Sequence, residues 1–313
     1  MDGCEHARSD MNEIIESVVA VGPLRDPVLV TGFLVQRRGG RLASSVLSHL
    51  LGEWHAELIA KIQPGDFYDF TSLRPQVRIS EGKPVIEWPE VLIFLANKEG
   101  ATRDILLLVG SEPHLRWRTF IEAVADYVEK LGVRLIVNLR SFPAPTPHTR
   151  PAPIFPVSSD RELASKFGTP RDGFKFEGLT DITEVLSVQV QSSGCQSVDL
   201  SVLQPFYFRP MPRAQASIAW IKALDRAFGG ETSLELLEKT ADEETRAINE
   251  TSAENAEMQS MIHELEQRYD SGSIWSQVEP GAQTSELPSG EAVVNEIERL
   301  LRESGRPRGS TEE

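Results

Sequence analysis

Short, unbroken apolar runs separated by helical stripes fill the first two thirds of the chain. Val28-Leu29-Val30-Thr31, Leu58-Ile59-Ala60-Lys61-Ile62, Val91-Leu92-Ile93-Phe94-Leu95, Ile105-Leu106-Leu107-Leu108-Val109 and Val133-Arg134-Leu135-Ile136-Val137 each have the length and composition of a strand. Runs without polar alternation are what strands covered on both faces look like. Between them, Leu42, Val46, Leu47 and Leu50 follow Gly39-Gly40 at helical spacing, and Trp117, Phe120, Ile121, Val124 and Val128 make one stripe within Leu115–Leu131. This β-α-β rhythm predicts a mostly parallel sheet between helices. Six prolines in the sixteen residues Ser141 to Pro156 predict an ordered loop or extended segment with neither regular helix nor central strand. A helix around Ile182–Val190, a strand at Val198–Leu203 and a helix over Arg213–Phe228 continue the body.

The pattern then changes. Residues 234–269 carry Leu234, Ala241, Ile248, Ile262 and Tyr269 at one heptad register and Leu237, Met258 and Leu265 at the other, interrupted by Glu244, Thr251 and Asn255. Two readings stay open: a pair of amphipathic helices packed on the body, or a coiled-coil arm or partner-binding hairpin. Residues 272–286 read as polar linker, Leu287-Pro288-Ser289-Gly290-Glu291 opens a last helix through Leu301, and residues from Glu303 onward read as disordered. The division is thus an N-terminal extension (1–24), an α/β/α domain (25–230), a helical C-terminal extension (231–303) and a tail (304–313).

Charge sharpens that division. Of 313 residues 47 are acidic and 32 basic, a net of −15, and residues 231–270 hold twelve acids against three bases. The body is nearly neutral and the extension acidic, as expected of an appendage with its own partner. An acidic chain disfavours nucleic acid. No apolar run reaches the ~18 residues of a membrane span, and the start lacks a signal peptide, so a cytoplasmic protein is expected. Cys4 and Cys195 are too few for a disulfide framework or zinc site and lie near no basic cluster. Neither a metal nor a cofactor is expected.

No nucleotide-binding glycine loop, nucleophile elbow or His-Glu-x-x-His is present, and the six histidines are scattered, so no catalytic residue can be named. Candidate ligand or interface residues lie just after strands, where open α/β sheets place ligands. Gly110-Ser111-Glu112-Pro113-His114-Leu115-Arg116 would let Ser111 cap a helix whose amides hold an anion beside Arg116; plain capping is the alternative. In Pro147-His148-Thr149-Arg150-Pro151, flanking prolines fix where His148 and Arg150 point, for a binding site, a subunit contact or an ordered loop. Asp66-Phe67-Tyr68-Asp69-Phe70 and Ile86-Glu87-Trp88-Pro89 pair aromatics with carboxylates, best explained by a β-hairpin packed under the sheet; acid–base work by Asp66 and Asp69 is the alternative.

Several of these motifs together resemble the bacterial branch of the proteasome assembly chaperone 2 family. They are Phe67-Tyr68-Asp69-Phe70 with Arg74-Pro75, Ile86-Glu87-Trp88-Pro89, Asp104 to Gly110 with Glu112-Pro113 and Arg116-Trp117, Pro147 to Pro151, and Leu287-Pro288-Ser289-Gly290. The resemblance spans roughly residues 25–303. It implies a three-layer α/β/α fold similar to nucleoside phosphorylases with a helical C-terminal extension. It also implies self-association, a trimer being favoured, and a non-enzymatic protein-binding or assembly-chaperone-like role. The alternative is a phosphorylase-like or ligase-like enzyme or ligand-binding protein for a small anionic or nucleotide-like molecule. There Arg116 and Arg150 would hold the anion and His148 would be the general acid. The chain departs from the family pattern at Gly32-Phe33-Leu34-Val35-Gln36-Arg37, where Gly-Trp-x-Asp-Ala-Gly is usual. It departs again at Phe176-Glu177-Gly178-Leu179-Thr180-Asp181 and at Pro205-Phe206-Tyr207, which removes an acid, a glycine and a histidine from the loops expected to line a cleft; Glu177 is kept as a candidate there. The end, Ser310-Thr311-Glu312-Glu313, lacks the hydrophobic-Tyr-x tail by which chaperone relatives dock on proteasome rings.

Overall fold

The apolar runs become the centre of an eight-stranded sheet in a computed structural model, which describes residues 14–34, 41–171, 180–208, 211 and 213–273. In chain order the elements are β1 (Ile15–Ser17), β2 (Val28–Leu34), α1 (Arg41–Glu53), β3 (Glu57–Ile62), β4 (Gln76–Ser80), β5 (Lys83–Glu87), β6 (Val91–Ala96) and β7 (Ile105–Ser111). There follow α2 (Trp117–Lys130), β8 (Leu135–Ala144), β9 (Ile154–Val157), α3 (Arg161–Ser165), α4 (Ile182–Gln191), β10 (Gln196–Pro205), α5 (Ala214–Phe228), α6 (Glu235–Ser252) and α7 (Ala256–Asp270). Cys4, Gly39, Gly40, Glu177, the helix expected after Leu287 and the tail lie outside the described residues.

The sheet order is β1-β3-β6-β7-β2-β8-β10-β9. The core β7-β2-β8-β10 is parallel throughout, and β3 runs with it; β1, β6 and β9 run the other way. The mostly parallel α/β/α architecture with C-terminal helices is therefore observed. Two-sided burial explains the unbroken runs. Val28, Val30, Ile105, Leu107, Leu135 and Val137 face α1 and α5, packing with Leu47, Leu50, Trp220 and Leu224. Their neighbours Leu29, Phe33, Leu106, Leu108 and Ile136 face α2 and α4, packing with Phe120, Val124, Ile182 and Leu186.

Two local expectations are corrected and one is made specific. The extended alternative holds at both ends of the proline-rich segment, which are strand: β8 runs to Ala144 and β9 contains Pro156. β2 pairs with β8 only as far as Asn138, so Pro143 has an open side on which a missing N–H breaks no ladder bond, and β9 is an edge strand, where proline is tolerated. Ser111 does not cap a helix: it ends β7, and α2 begins at Trp117 behind Arg116, whose backbone is left-handed at φ 53°. The β4–β5 hairpin does not lie under the sheet; Phe67 and Tyr68 are buried there, but every residue of both strands is exposed. The sequence reading also missed β1, three residues antiparallel to β3.

The helical pair is rooted by a tight interlock. Gly230 has φ 74°, and a Cβ there would stand 2.1 Å from the Glu99 carbonyl oxygen. Next to it the Trp54 indole donates to Thr232 Oγ1 at 2.9 Å, Thr232 donates to Asp225, and buried Lys98 lies 3.1 Å from Asp225. From this point α6 packs on α5: Ala241 is buried against Ala214 and Ile218, with Leu234 and Leu237 beside them. Ile248, Ile262 and Leu265 are buried too. The packed-pair reading of 234–269 is the one observed. Its heptad interruptions have local causes: Glu244 accepts from the Arg213 and Ala214 amides at the start of α5, and Asn255 caps α7.

Gly110 shows how closely the strands meet. A Cβ there would lie 2.6 Å from the Glu90 carbonyl oxygen and 2.7 Å from Val91 Cα, backbone atoms that cannot rotate aside. Gly110→Ala is expected to destabilise the chain by about 1–3 kcal/mol, the range for overpacking, as read from urea unfolding.

Candidate functional site

The described sequence-predicted residues fall into three settings, at or beyond the C-terminal ends of the parallel strands. Gly110 faces β6, as above. Arg116 pairs with Asp66 at 2.9 Å on the surface. Asp69, the other carboxylate of that loop, accepts from Thr71 and Ser72. The Thr71 hydroxyl and amide, then Ser72, hold its carboxyl down at about 2. Both carboxylates thus have partners that fix their loop: His114 and Leu115 donate their amides to the Phe67 carbonyl, and Tyr68 donates to that of Ser111.

Glu112 belongs to a second, deeper setting. It accepts from the Ile182 amide at 3.0 Å, at the first turn of α4, where Asp181 is the cap. Beneath that helix Thr31, Asn138 and Asp199 lie in register across β2, β8 and β10, on the face covered by α4. Thr31 donates to Asn138 Oδ1 at 2.8 Å, and Asn138 donates to Ser187 and Asp199, each at 2.7 Å. Two residues along β8, Arg140 donates to Asp181 (2.9 Å), Glu184 (2.6 Å) and Asp199 (2.8 Å). Burial works to lower the Arg140 guanidinium, but the three carboxylates outweigh it and hold it above its ordinary value. Burial likewise works to raise Asp181, and Arg140 with the Thr183 hydroxyl and the Glu184 amide brings it below the usual range. Sequence reasoning missed this network, although a signal existed: Thr31, Asn138 and Arg140 interrupt apolar runs of β2 and β8, and Asp199 stands between Val198 and Leu200, where a buried polar group needs a partner.

The third setting is the His148 loop. Tyr207 Oη accepts the His148 backbone N–H at 2.9 Å, which frees its own hydrogen for His148 Nδ1 at 2.7 Å. Nε2 therefore carries the ring proton and donates to Asn249 Oδ1 on α6 at 3.0 Å. Burial pushes His148 below its ordinary value, against the pull of Asn249 and Glu266, and pushes the Tyr207 hydroxyl up to about 12. Thr149 donates to Glu266 on α7, and Arg150 pairs with Glu266 at 3.2 Å and Asp270 at 2.9 Å. Tyr269 donates to the Pro151 carbonyl. The loop is a clamp that fastens both C-terminal helices to the end of β8. Beside it lies a crevice of about 20 Å³, room for one water; a larger cleft of about 420 Å³ opens between α1, α5 and α6 over Phe208, Met211, Arg213, Leu237 and Ile248.

Neither of these two cavities has Arg116 in its lining, and Arg116 pairs with Asp66 while His148 and Arg150 hold α6 and α7. Glu177 lies outside the described residues. Among the described residues no group of three His, Cys, Asp or Glu has the placement of a metal site. Cys195 is buried and its thiol is pushed up to about 11, so it stays protonated at neutral pH.

A family model described as the PAC2 family matches residues 40–252. The chain belongs to the PAC2 family. Among solved structures, a Mycobacterium tuberculosis proteasome-assembly chaperone homologue is 30% identical with a TM-score of 0.66, covering 75% of this chain and 99% of that one. A PAC2 family protein from Streptomyces avermitilis is 29% identical with a TM-score of 0.67 over 75% and 99%. A second Mycobacterium tuberculosis protein, of unknown function, is 26% identical with a TM-score of 0.71 over 84% and 90%. No curated protein matches the chain. The PAC2 match contains Gly110, Glu112, Arg116, Arg140, His148 and Arg150 and stops at Ser252, the last residue of α6. The α7 side of the clamp, with Glu266 and Asp270, lies beyond the matched PAC2 segment.

Two measurements probe these settings. Arg140→Met leaves three half-buried carboxylates without their cation and is expected to cost about 3–5 kcal/mol in chemical unfolding. His148 has a folded-state value below the ~6.5 of the unfolded chain, so the unfolded chain takes up the proton first as pH falls. Stability should therefore decrease as pH drops below about 6.5 and level off below the folded value; thermal melts between about pH 7.5 and 5.5 should show this slope reduced in His148→Gln.

Proposed function

We propose that this PAC2 family member is a non-enzymatic, self-associating protein-binding factor of the assembly-chaperone kind. A trimer is the favoured assembly and the cytoplasm its setting; among the described residues no helix is long and apolar enough to cross a membrane. The observation that carries the reading is the docked helical pair. Residues 231–270 hold twelve acids and three bases, and the apolar stripe of α6 and α7 is buried, so the carboxylates of Glu235, Glu238, Asp242, Glu243, Glu250 and Glu257 stand in water on a fixed scaffold. That suits a basic protein surface, with a salt dependence set by a Debye length of ~8–10 Å. The similarity to a proteasome-assembly chaperone homologue points the same way.

The phosphorylase- or ligase-like reading would need Arg116, His148 and Arg150 on one small anion. Their contacts favour the protein-binding reading: Arg116 holds Asp66, His148 holds Tyr207 and Asn249, and Arg150 holds Glu266 and Asp270. A thermal-shift screen with phosphate, nucleosides and nucleotides is expected to leave the melting midpoint unmoved; a saturable rise following RT ln(1 + [L]/Kd) would favour the small-molecule reading instead.

The direct test is affinity capture from native lysate. The wild-type chain should retain a stoichiometric protein partner that salt releases. Reversing Glu243, Glu250 and Glu257 to Lys should leave melting temperature unchanged and reduce recovery at least about tenfold, as expected for lost charge complementarity. Equal recovery by the reversed chain would overturn the role given to the acidic face.

A further inference from the structure

The cleft of about 420 Å³ between α1, α5 and α6 falls in the ~300–1,000 Å³ range of clefts that take ligands. Much of its wall is apolar: Phe208 and Met211 come from the segment before α5, Leu237 and Ile248 from α6. From Leu237 to Ile248 it follows α6 for roughly 16 Å, about three turns at ~1.5 Å per residue. Glu244 also lines it, but its carboxylate is engaged by the Arg213 and Ala214 amides at the start of α5.

The lip of the cleft is acidic. Thr240 and Ala247 line it from α6. Glu243 lies three residues after Thr240 and four before Ala247, and Glu250 three after Ala247, so helical spacing sets both carboxylates beside the opening. Leu236, four residues before Thr240, continues the same lip and is 66% exposed. Lys239 and Arg246 stand further round the helix, beyond these acids. Glu243 and Glu250 are exposed, and neither carboxylate has a hydrogen bond or ion pair among the described residues.

An apolar trough three turns long with carboxylates along its lip matches one kind of occupant. A helix with bulky apolar residues on one face and Lys or Arg beside them fills the trough and meets the acids at once. A small anion would be repelled at the lip, and a neutral apolar molecule would leave the acids unused. We infer that the cleft holds a basic amphipathic helix of a partner protein, with its apolar side chains against Leu237, Ile248, Phe208 and Met211 and its cations on Glu243 and Glu250. Arg213, in the lining, has guanidinium donors for main-chain carbonyls of that helix. This rests on the proposed protein-binding role and names the element of the partner that is bound.

The test is fluorescence anisotropy of the full chain with a labelled Leu/Lys peptide of about five helical turns, its Leu residues at i, i+3, i+4 and i+7 spacing. A second peptide has Ala in place of every Leu. The wild type should bind the Leu/Lys peptide saturably and the Ala/Lys peptide at least about tenfold more weakly. Ala247→Trp fills the cleft while keeping every charge, and should weaken Leu/Lys binding at least about tenfold, with circular dichroism checking the fold. Thr240→Phe fills it two turns earlier and decides the matter should Ala247→Trp lose its fold. Glu243→Gln with Glu250→Gln should weaken binding of both peptides. Filled variants that bind like the wild type, while the neutralised one binds more weakly, overturn the inference and leave the acidic face standing. Equal binding by all variants overturns both. A wild type without saturable binding overturns the inference alone, provided a partner released by salt is still captured from lysate.

Discussion

Arg140 sits among three carboxylates at the end of a parallel sheet, and the placing of α4 follows from that. A guanidinium this far from water is held only if its donors meet oxygen, and Asp181, Glu184 and Asp199 come from two different elements to meet it. Asp199 fixes β10 against β8, while Asp181 and Glu184 draw down the first turn of α4. Glu112 then reaches the same helix end from β7. The polar row Thr31, Asn138 and Asp199 continues this logic across the sheet, each side chain supplying what its neighbour lacks. A parallel core sheathed on both faces tolerates polar groups only in such chains.

The second dependency runs through the loop after β8. Proline on each side of His148, Thr149 and Arg150 shortens the set of shapes the loop can take, so three polar side chains point at two helices without a large loss of entropy on ordering. The acidic helices are held at one end by this loop and at the other by the glycine interlock with residues 98–102. Their charge is thus displayed at fixed positions, and a surface that recognises it need not first order it.

Most of the architecture was legible because two-sided burial writes itself directly into sequence: runs such as Ile105–Val109 leave few alternatives, and the stripe from Trp117 to Val128 is unmistakably helical. The heptad of 234–269 was legible as a pattern but not as a placement, since Glu244 breaks the stripe for a reason that lies on α5. What sequence hid were consequences of neighbours. Pro143 sits in a strand because β2 has already left the ladder there, and Ser111 ends a strand because Arg116 takes the turn into α2. His148 and Arg150 were found as residues, but their partners Tyr207, Asn249, Glu266 and Asp270 lie 59 to 120 positions away. Arg140 was overlooked because a lone polar residue in a strand reads as noise until the sheet shows what lies beside it.

The two rims of the main sheet are finished in a way that constrains growth. At one rim stands β1, three residues long; at the other stands β9, four residues with a proline among them. Neither offers a backbone ladder of useful length to a strand from elsewhere, and such blunted rims are how sheets avoid endless lateral addition. Among the described residues the main sheet is therefore a poor template for fibres, even in a crowded cell where many such sheets collide.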